Sequence, residues 1–136
     1  MKALTVRQPW CWLILRGLKR YENRRWHTAH RGPLLIHAAK TPARIDERQL
    51  QAWRRQGIAV PPGDRLPTGA VVGICDLTAC LPLDGLDDPW ATGPWCWRLD
   101  RVQAWDRPVL YPGDRGLFEV PDDLIADQAA NWLSPA

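Results

Sequence analysis

Lys19, Glu22, Arg24 and Trp26 crowd into one short stretch, GLKRYENRRWHTAHRG (17–32). Read as an extended segment, it has no apolar face. Glu22, Arg24 and Trp26 would point one way, and Tyr21, Asn23 and Arg25 the other. Same-face residues two apart stand roughly 6.5–7 Å apart along a strand. That makes a row of acceptor, forked donor and flat aromatic face. Such a row could hydrogen-bond a base edge, grip a phosphate and stack a ring. A Glu22–Arg24 structural pair beside a core Trp26 is the plainer account of the same residues. Lys19 follows Gly17 at the end of the preceding segment. In a partly closed pocket its ammonium could hold a phosphate, and if desolvated it could serve as a base. A strict strand would put Lys19 and Glu22 on opposite faces, so a cleft using both needs a bend or bulge near residue 20.

The elements around this stretch follow from pattern. ALTV (3–6) reads as a strand and QPWCWLILRG (8–17) as a helix, with Pro9 in its first turn and Gly17 at its end. Residues 19–26 are the charged strand and PLLIHAA (33–39) a buried one. Thr41-Pro42 looks like an N-cap and first helical position, opening a helix to Gly57 that buries Ile45, Leu50 and Trp53. AVVGICDLTAC (70–80) is the most strand-like segment. Residues 81–93 form a Pro/Gly/Asp-rich loop, and 95–105 a further strand. RPVLY and GLFEV flank PGDRG as a hairpin-like pair, and residues 121–133 start like a helix. Six strands with three helices lack the regular alternation of a doubly wound sheet. The expected class is α+β: a small mixed barrel or strongly curved sheet with helices packed around it.

Charge is unevenly spread. Residues 1–31 carry a net +7 and the remainder −4. A basic first quarter fits an anionic partner such as a phosphate backbone or nucleotide, and equally a solvated basic face. At 136 residues the expectation is one domain, residues 1–136. The apolar runs fall far short of the roughly 20 residues needed to span a membrane. With no CxxC among the four cysteines, Cys11, Cys75 and Cys96 read as small core residues of a reduced, cytoplasmic protein. His27, His30 and His37 do not make a metal set, and nothing calls for a cofactor. His37, inside an apolar strand, reads as a hydrogen-bonded buried histidine or a cleft-floor residue.

Residues 7–39 resemble the ASCH domain, the activating signal cointegrator homology family. The matching elements are Gln8-Pro9-Trp10, Gly17-x-Lys19-x-x-Glu22-x-Arg24-x-Trp26, and Thr28 followed by His30-Arg31-Gly32. Weaker agreement continues in GAVVGICDLTAC (69–80) and in the GLFEV ending. The resemblance implies a PUA-like mixed β-barrel of about five or six strands with helices at its rim. It also implies a cleft between the first helix and the barrel, lined by the G-x-K-x-x-E-x-R segment. Members are thought to bind RNA or nucleotides. Some small relatives are amidohydrolases acting on N4-acetylcytidine, and ribonuclease activity has been suggested for others.

On this reading the chain binds RNA, a nucleotide or a nucleoside in a basic cleft, which also admits single-stranded DNA. Lys19 and Arg24 would contact phosphate or base oxygens, Glu22 would accept from a base or orient Arg24, and Trp26 or Trp10 would stack. Trp10 suits the cleft edge and the core about equally. Arg7 and Arg31 could add phosphate contacts. As an enzyme, the chain would use Lys19 and Glu22 as its catalytic pair. The amidohydrolase relatives carry threonine where this chain has Glu22, and Asp76 is a conceivable stand-in for their downstream acid. A third expectation is a protein-interaction module using tryptophans around 90–97.

Overall fold

A computed structural model describes residues 1–135 of the chain. Its elements are β1 (Lys2–Val6), α1 (Trp10–Leu15), β2 (Tyr21–Arg24), β3 (Gly32–Ala38), α2 (Glu47–Arg55), β4 (Ala70–Pro82), β5 (Trp95–Leu110), β6 (Leu117–Glu119) and α3 (Asp122–Leu133). All six strands join one mixed sheet in the order β2-β5-β4-β3-β1-β6. β1 and β3 run parallel and every other pairing is antiparallel. This is the α+β, mixed-sheet architecture with peripheral helices that PUA-like domains have. Among the described residues no helix is long and apolar enough to cross a membrane.

The continuous apolar run of β3 is explained by a sheet covered on both faces. Leu34 and Ile36 point into one core with Cys11, Ile14 and Leu15 of α1 and Trp97 of β5. Leu35, one residue out of phase, points into a second core with Ile125, Ala129 and Trp132 of α3. The helix α1 lies so close to the sheet that Gly73 of β4 has no room for a side chain. An added Cβ would stand 2.5 Å from the Gln103 carbonyl oxygen and 2.7 Å from both Leu15 methyls. All four cysteines are free and buried, Cys80 along with the three expected.

Three elements depart from the pattern reading. The second helix starts at Asp46, not Thr41; the Asp46 carboxylate accepts from the Gln49 amide at 2.8 Å. Residues 41–45 stay non-helical, and the Ala43 amide there donates to the Gln8 carbonyl at 2.7 Å. The strand begun at Trp95 continues to Leu110, through Pro108, with Arg101 at φ 50 where the register against β4 shifts. Val109 and Leu110 pair with Val71 and Ala70 of β4, and β6 does not close a hairpin on them. It pairs instead with the free edge of β1, Leu4 opposite Leu117.

The turn after α1 sets up the site. Gly17 adopts φ 74, the left-handed region that glycine enters freely, and the helix ends in a Schellman motif. The Gly17 amide donates to the Ile14 carbonyl and the Leu18 amide to that of Leu13. The Lys19 amide donates to the same Leu13 oxygen, so the chain doubles back beneath its own helix and carries the Lys19 side chain inward.

Candidate functional site

β2 spans only Tyr21–Arg24; just before it the Arg20 carbonyl still accepts from the Leu99 amide of β5 at 2.9 Å, while Lys19 lies outside the ladder. That irregularity is the bend the sequence required, and it brings Lys19 to the same side as Glu22. Both are nearly excluded from solvent, at 4% and 8% exposure. Burying two charges is costly unless they are paired and their hydrogen-bonding capacity is met. Here Lys19 Nζ donates to the Tyr21 carbonyl and to Glu22 Oε1, the latter at 3.2 Å. Glu22 Oε2 accepts from Arg24 Nε at 3.1 Å, and Arg24 Nη2 donates to the Thr5 carbonyl at 2.6 Å. The three side chains form a single network tied to β1 and β2. An ammonium has three N–H bonds, and two are used within the chain.

This network borders a cavity of about 570 Å³. Its walls come from four places in the sequence: Trp10 at the start of α1; Lys19, Glu22 and Asn23 around β2; Gln49, Trp53 and Gln56 on and just after α2; and Pro89, Trp90 and Thr92 from the β4–β5 loop. Three tryptophans meet there. Trp10 stands edge-on to Trp53 and Trp90, with ring centroids 5.6 and 6.5 Å apart. Trp53 and Trp90 lie 5.9 Å apart at 37°. A planar ligand inserted between those two would need about 7 Å, two stacking contacts of about 3.5 Å each. The gap between Trp53 and Trp90 is therefore too narrow to sandwich a flat ligand. Lys19 Nζ lies 5.9 Å from the Trp10 ring, so cation, carboxylate and indole are neighbours.

The other residues singled out from the sequence take separate places. Arg24 is a support of Glu22 and does not line the cavity. Trp26 packs edge-on against Trp97 with centroids 4.7 Å apart and keeps a third of its surface exposed. Arg7 is exposed. The Arg31 guanidinium is engaged with the carbonyls of Thr28 and His30, each at 2.8 Å. Asp76 lies in β4 opposite Pro33 and Asp100, away from the cavity walls. His27 meets the edge of Trp95, and His30 bonds the Pro33 carbonyl. His37 is the buried, hydrogen-bonded histidine: Nδ1 faces the Thr5 hydroxyl at 3.1 Å and Nε2 the Tyr111 carbonyl at 2.6 Å. Desolvation lowers its pKa. Burial pushes the Cys11 thiol up, and the nearby Glu22 carboxylate adds to the shift. That thiol is an inert core group donating to the Val6 carbonyl.

Asn23, Gln49, Trp53, Gln56, Pro89 and Thr92 also line the walls and were not candidates from the sequence, while Trp90 was singled out only as part of a protein-interaction surface. A signal existed for Trp90. An indole in a Pro/Gly/Asp-rich loop must cover its apolar body against something.

The chain belongs to the ASCH domain family: the model of that domain matches residues 4–95, which include the whole Gly17-to-Trp26 motif. It is 44% identical over 82 residues to the protein named activating signal cointegrator 1 of Homo sapiens, and 42% identical over 82 residues to that of Mus musculus. Each match covers 58% of this chain and only 14% of the relative.

Proposed function

We propose that this chain binds single-stranded RNA or a nucleotide, with one base held in the cavity walled by Trp10, Trp53 and Trp90. The carrying observation is the buried Lys19–Glu22 pair beside that cavity. The cavity volume falls within the usual range of small-ligand pockets, about 300–1,000 Å³. Indole faces stack any base, a contact worth about 1–3 kcal/mol. Every base carries a donor next to an acceptor on its pairing edge. Lys19 Nζ, with an unused N–H, and Glu22 Oε1, with a remaining lone pair, stand 3.2 Å apart and present the complementary donor and acceptor. The base would thus meet a charge pair of zero net charge, with backbone phosphates outside, near the basic residues of 1–31 such as Arg7. Family membership supports the reading, since RNA and nucleotide binding are the properties expected of such domains.

The test is a titration of labelled single-stranded RNA with wild type, Lys19→Ala and Trp90→Ala at two salt concentrations. Both variants should bind on the order of tenfold more weakly. Wild-type affinity in both would place binding elsewhere and end this assignment.

One observation favours a second reading, hydrolysis of a modified nucleoside or of RNA. Lys19 and Glu22 are opposed charges, buried together and facing a cavity large enough for a nucleoside. Lys19 would activate water and Glu22 would carry the proton. Turnover of N4-acetylcytidine or cleavage of RNA, lost in Lys19→Ala, is the result that would favour it; a wild type that binds without product formation would remove it.

A further inference from the structure

We propose that Asn23 is a positioning residue that latches the β4–β5 loop and thereby sets Trp90 as a wall of the cavity; the ligand-binding consequence rests on the reading just given. Asn23 sits between Glu22 and Arg24 on β2, paired with Cys96 of β5. Its side-chain amide is fully committed to one loop. Nδ2 donates to the Trp90 carbonyl at 2.9 Å, and Oδ1 accepts from the amides of Thr92 at 2.8 Å and Gly93 at 2.9 Å. One side chain thus holds the backbone on both sides of Ala91.

Among the described residues, the other hydrogen bonds around that segment are internal to the loop. An Asx turn at Asp88 accepts from the Trp90 amide at 2.8 Å, and the Ala91 amide returns to the Asp88 carbonyl. Those bonds shape the loop internally. They do not tie it to the sheet. Trp90 reaches over to the Trp10 and Trp53 rings, and Asn23 supplies the polar bonds that join its backbone to the body of the domain. Asparagine suits this role because it offers a donor and a double acceptor on one short, stiff side chain. No isosteric residue offers both. The Asn23 bonds also couple the wall to the site, because the residue before Asn23 is Glu22 and the residue after it is Arg24.

The experiment uses the full chain and three variants: Asn23→Ala, Asn23→Asp and Trp90→Phe. Amide hydrogen exchange is read without ligand at Thr92 and Gly93. The chain is labelled with fluorotryptophan, and Trp90→Phe assigns the Trp90 fluorine signal. In Asn23→Ala, exchange at Thr92 and Gly93 should accelerate on the order of tenfold or more, with β4 and β5 amides unchanged. The Trp90 signal should shift or broaden. Asn23→Asp keeps the acceptor and should restore protection at Thr92 and Gly93. It loses the donor to the Trp90 carbonyl, so the Trp90 signal stays perturbed. Titration with a labelled single-stranded RNA should then show weaker binding in Asn23→Ala, chiefly through faster dissociation. Wild-type exchange and an unmoved Trp90 signal in Asn23→Ala would overturn the latch. So would exchange accelerating throughout the sheet, which would make Asn23 a general support of the fold. A displaced loop with RNA affinity unchanged, while Trp90→Ala loses it, would overturn the coupling to binding. If wild type binds no RNA, the functional reading fails on its own, and the exchange and fluorine results alone decide the latch.

Discussion

Replacing Glu22 by Gln removes one charge from a network in which Lys19 is almost wholly buried. Gln keeps the size of the side chain and one carbonyl oxygen. It puts an NH2 group where Oε2 accepts from Arg24, so two donors face each other. Arg24 is a quarter exposed and still holds the Thr5 carbonyl, so its loss is modest. Lys19 keeps two neutral acceptors, the Tyr21 carbonyl and the Gln oxygen at the Oε1 position, but loses the carboxylate charge that offset its own. Removing one partner of a buried pair costs about 3–5 kcal/mol. With Arg24 partly hydrated, the lower end, about 3 kcal/mol, is the expectation. A domain of this size loses roughly 1 °C of Tm for every 0.3 kcal/mol, so the fall should be about 10 °C. Replacing both charges with apolar groups, Lys19→Met with Glu22→Leu, should cost far less, since such swaps are often neutral or stabilising. Thermal unfolding followed by near-ultraviolet circular dichroism, with urea titrations to check that the m-value is unchanged, measures both variants. Raising salt to about 1 M should leave the loss in Glu22→Gln nearly intact, because buried pairs are little screened. A loss below about 1 kcal/mol in the single variant, or an equal loss in the double, would refute the claim that Lys19 depends on Glu22 for its burial.

Three further outcomes follow from packing and titration. Gly73→Ala should destabilise by about 2–3 kcal/mol or more, since its Cβ meets a backbone carbonyl and both Leu15 methyls; chemical unfolding reads it. Asp46→Ala should cost about 1 kcal/mol through the lost N-cap of α2, and because α2 carries Gln49 and Trp53, RNA affinity should fall with it in the same titration used for Trp90→Ala. His37 has a folded pKa below its ordinary 6.5, so its neutral form favours the folded state. That contribution is complete above about pH 6.5 and is lost as pH falls below it, because the unfolded chain takes up the proton first. His37→Gln should flatten the dependence of Tm on pH just below 6.5, and an unaltered slope would show that His37 is not the group responsible.

Much of the architecture could be read from pattern because local rules dominate there. Gly17 ends α1 as a Schellman glycine, the PLLIHAA run is buried on both faces, and the charged strand is real, though shorter than its charged run. The misreadings came where a distant partner overrode a local signal. Thr41-Pro42 is a good helix start in isolation, but the chain there stays non-helical up to the Asp46 N-cap, with the Ala43 amide bonded to the distant Gln8 carbonyl. RPVLY and GLFEV look like a hairpin, but the first pairs with β4 and the second with the edge of β1. The site divides in the same way. Lys19 and Glu22 were visible because they share one compact motif, whose polarity is at odds with its place between core segments, and Trp10 because it sits in the first turn of the helix that precedes it. Apart from Trp90, the opposite walls were not visible, because α2 and the β4–β5 loop reach the cavity through tertiary packing that leaves no periodic trace. A buried ion pair is weak evidence for stability, since apolar residues would fill the same space as well or better. The Lys19–Glu22–Arg24 network is therefore better accounted for by what it faces than by what it holds up. It faces three indoles and a cavity, and one of those indoles, Trp90, is tied to the same strand through Asn23.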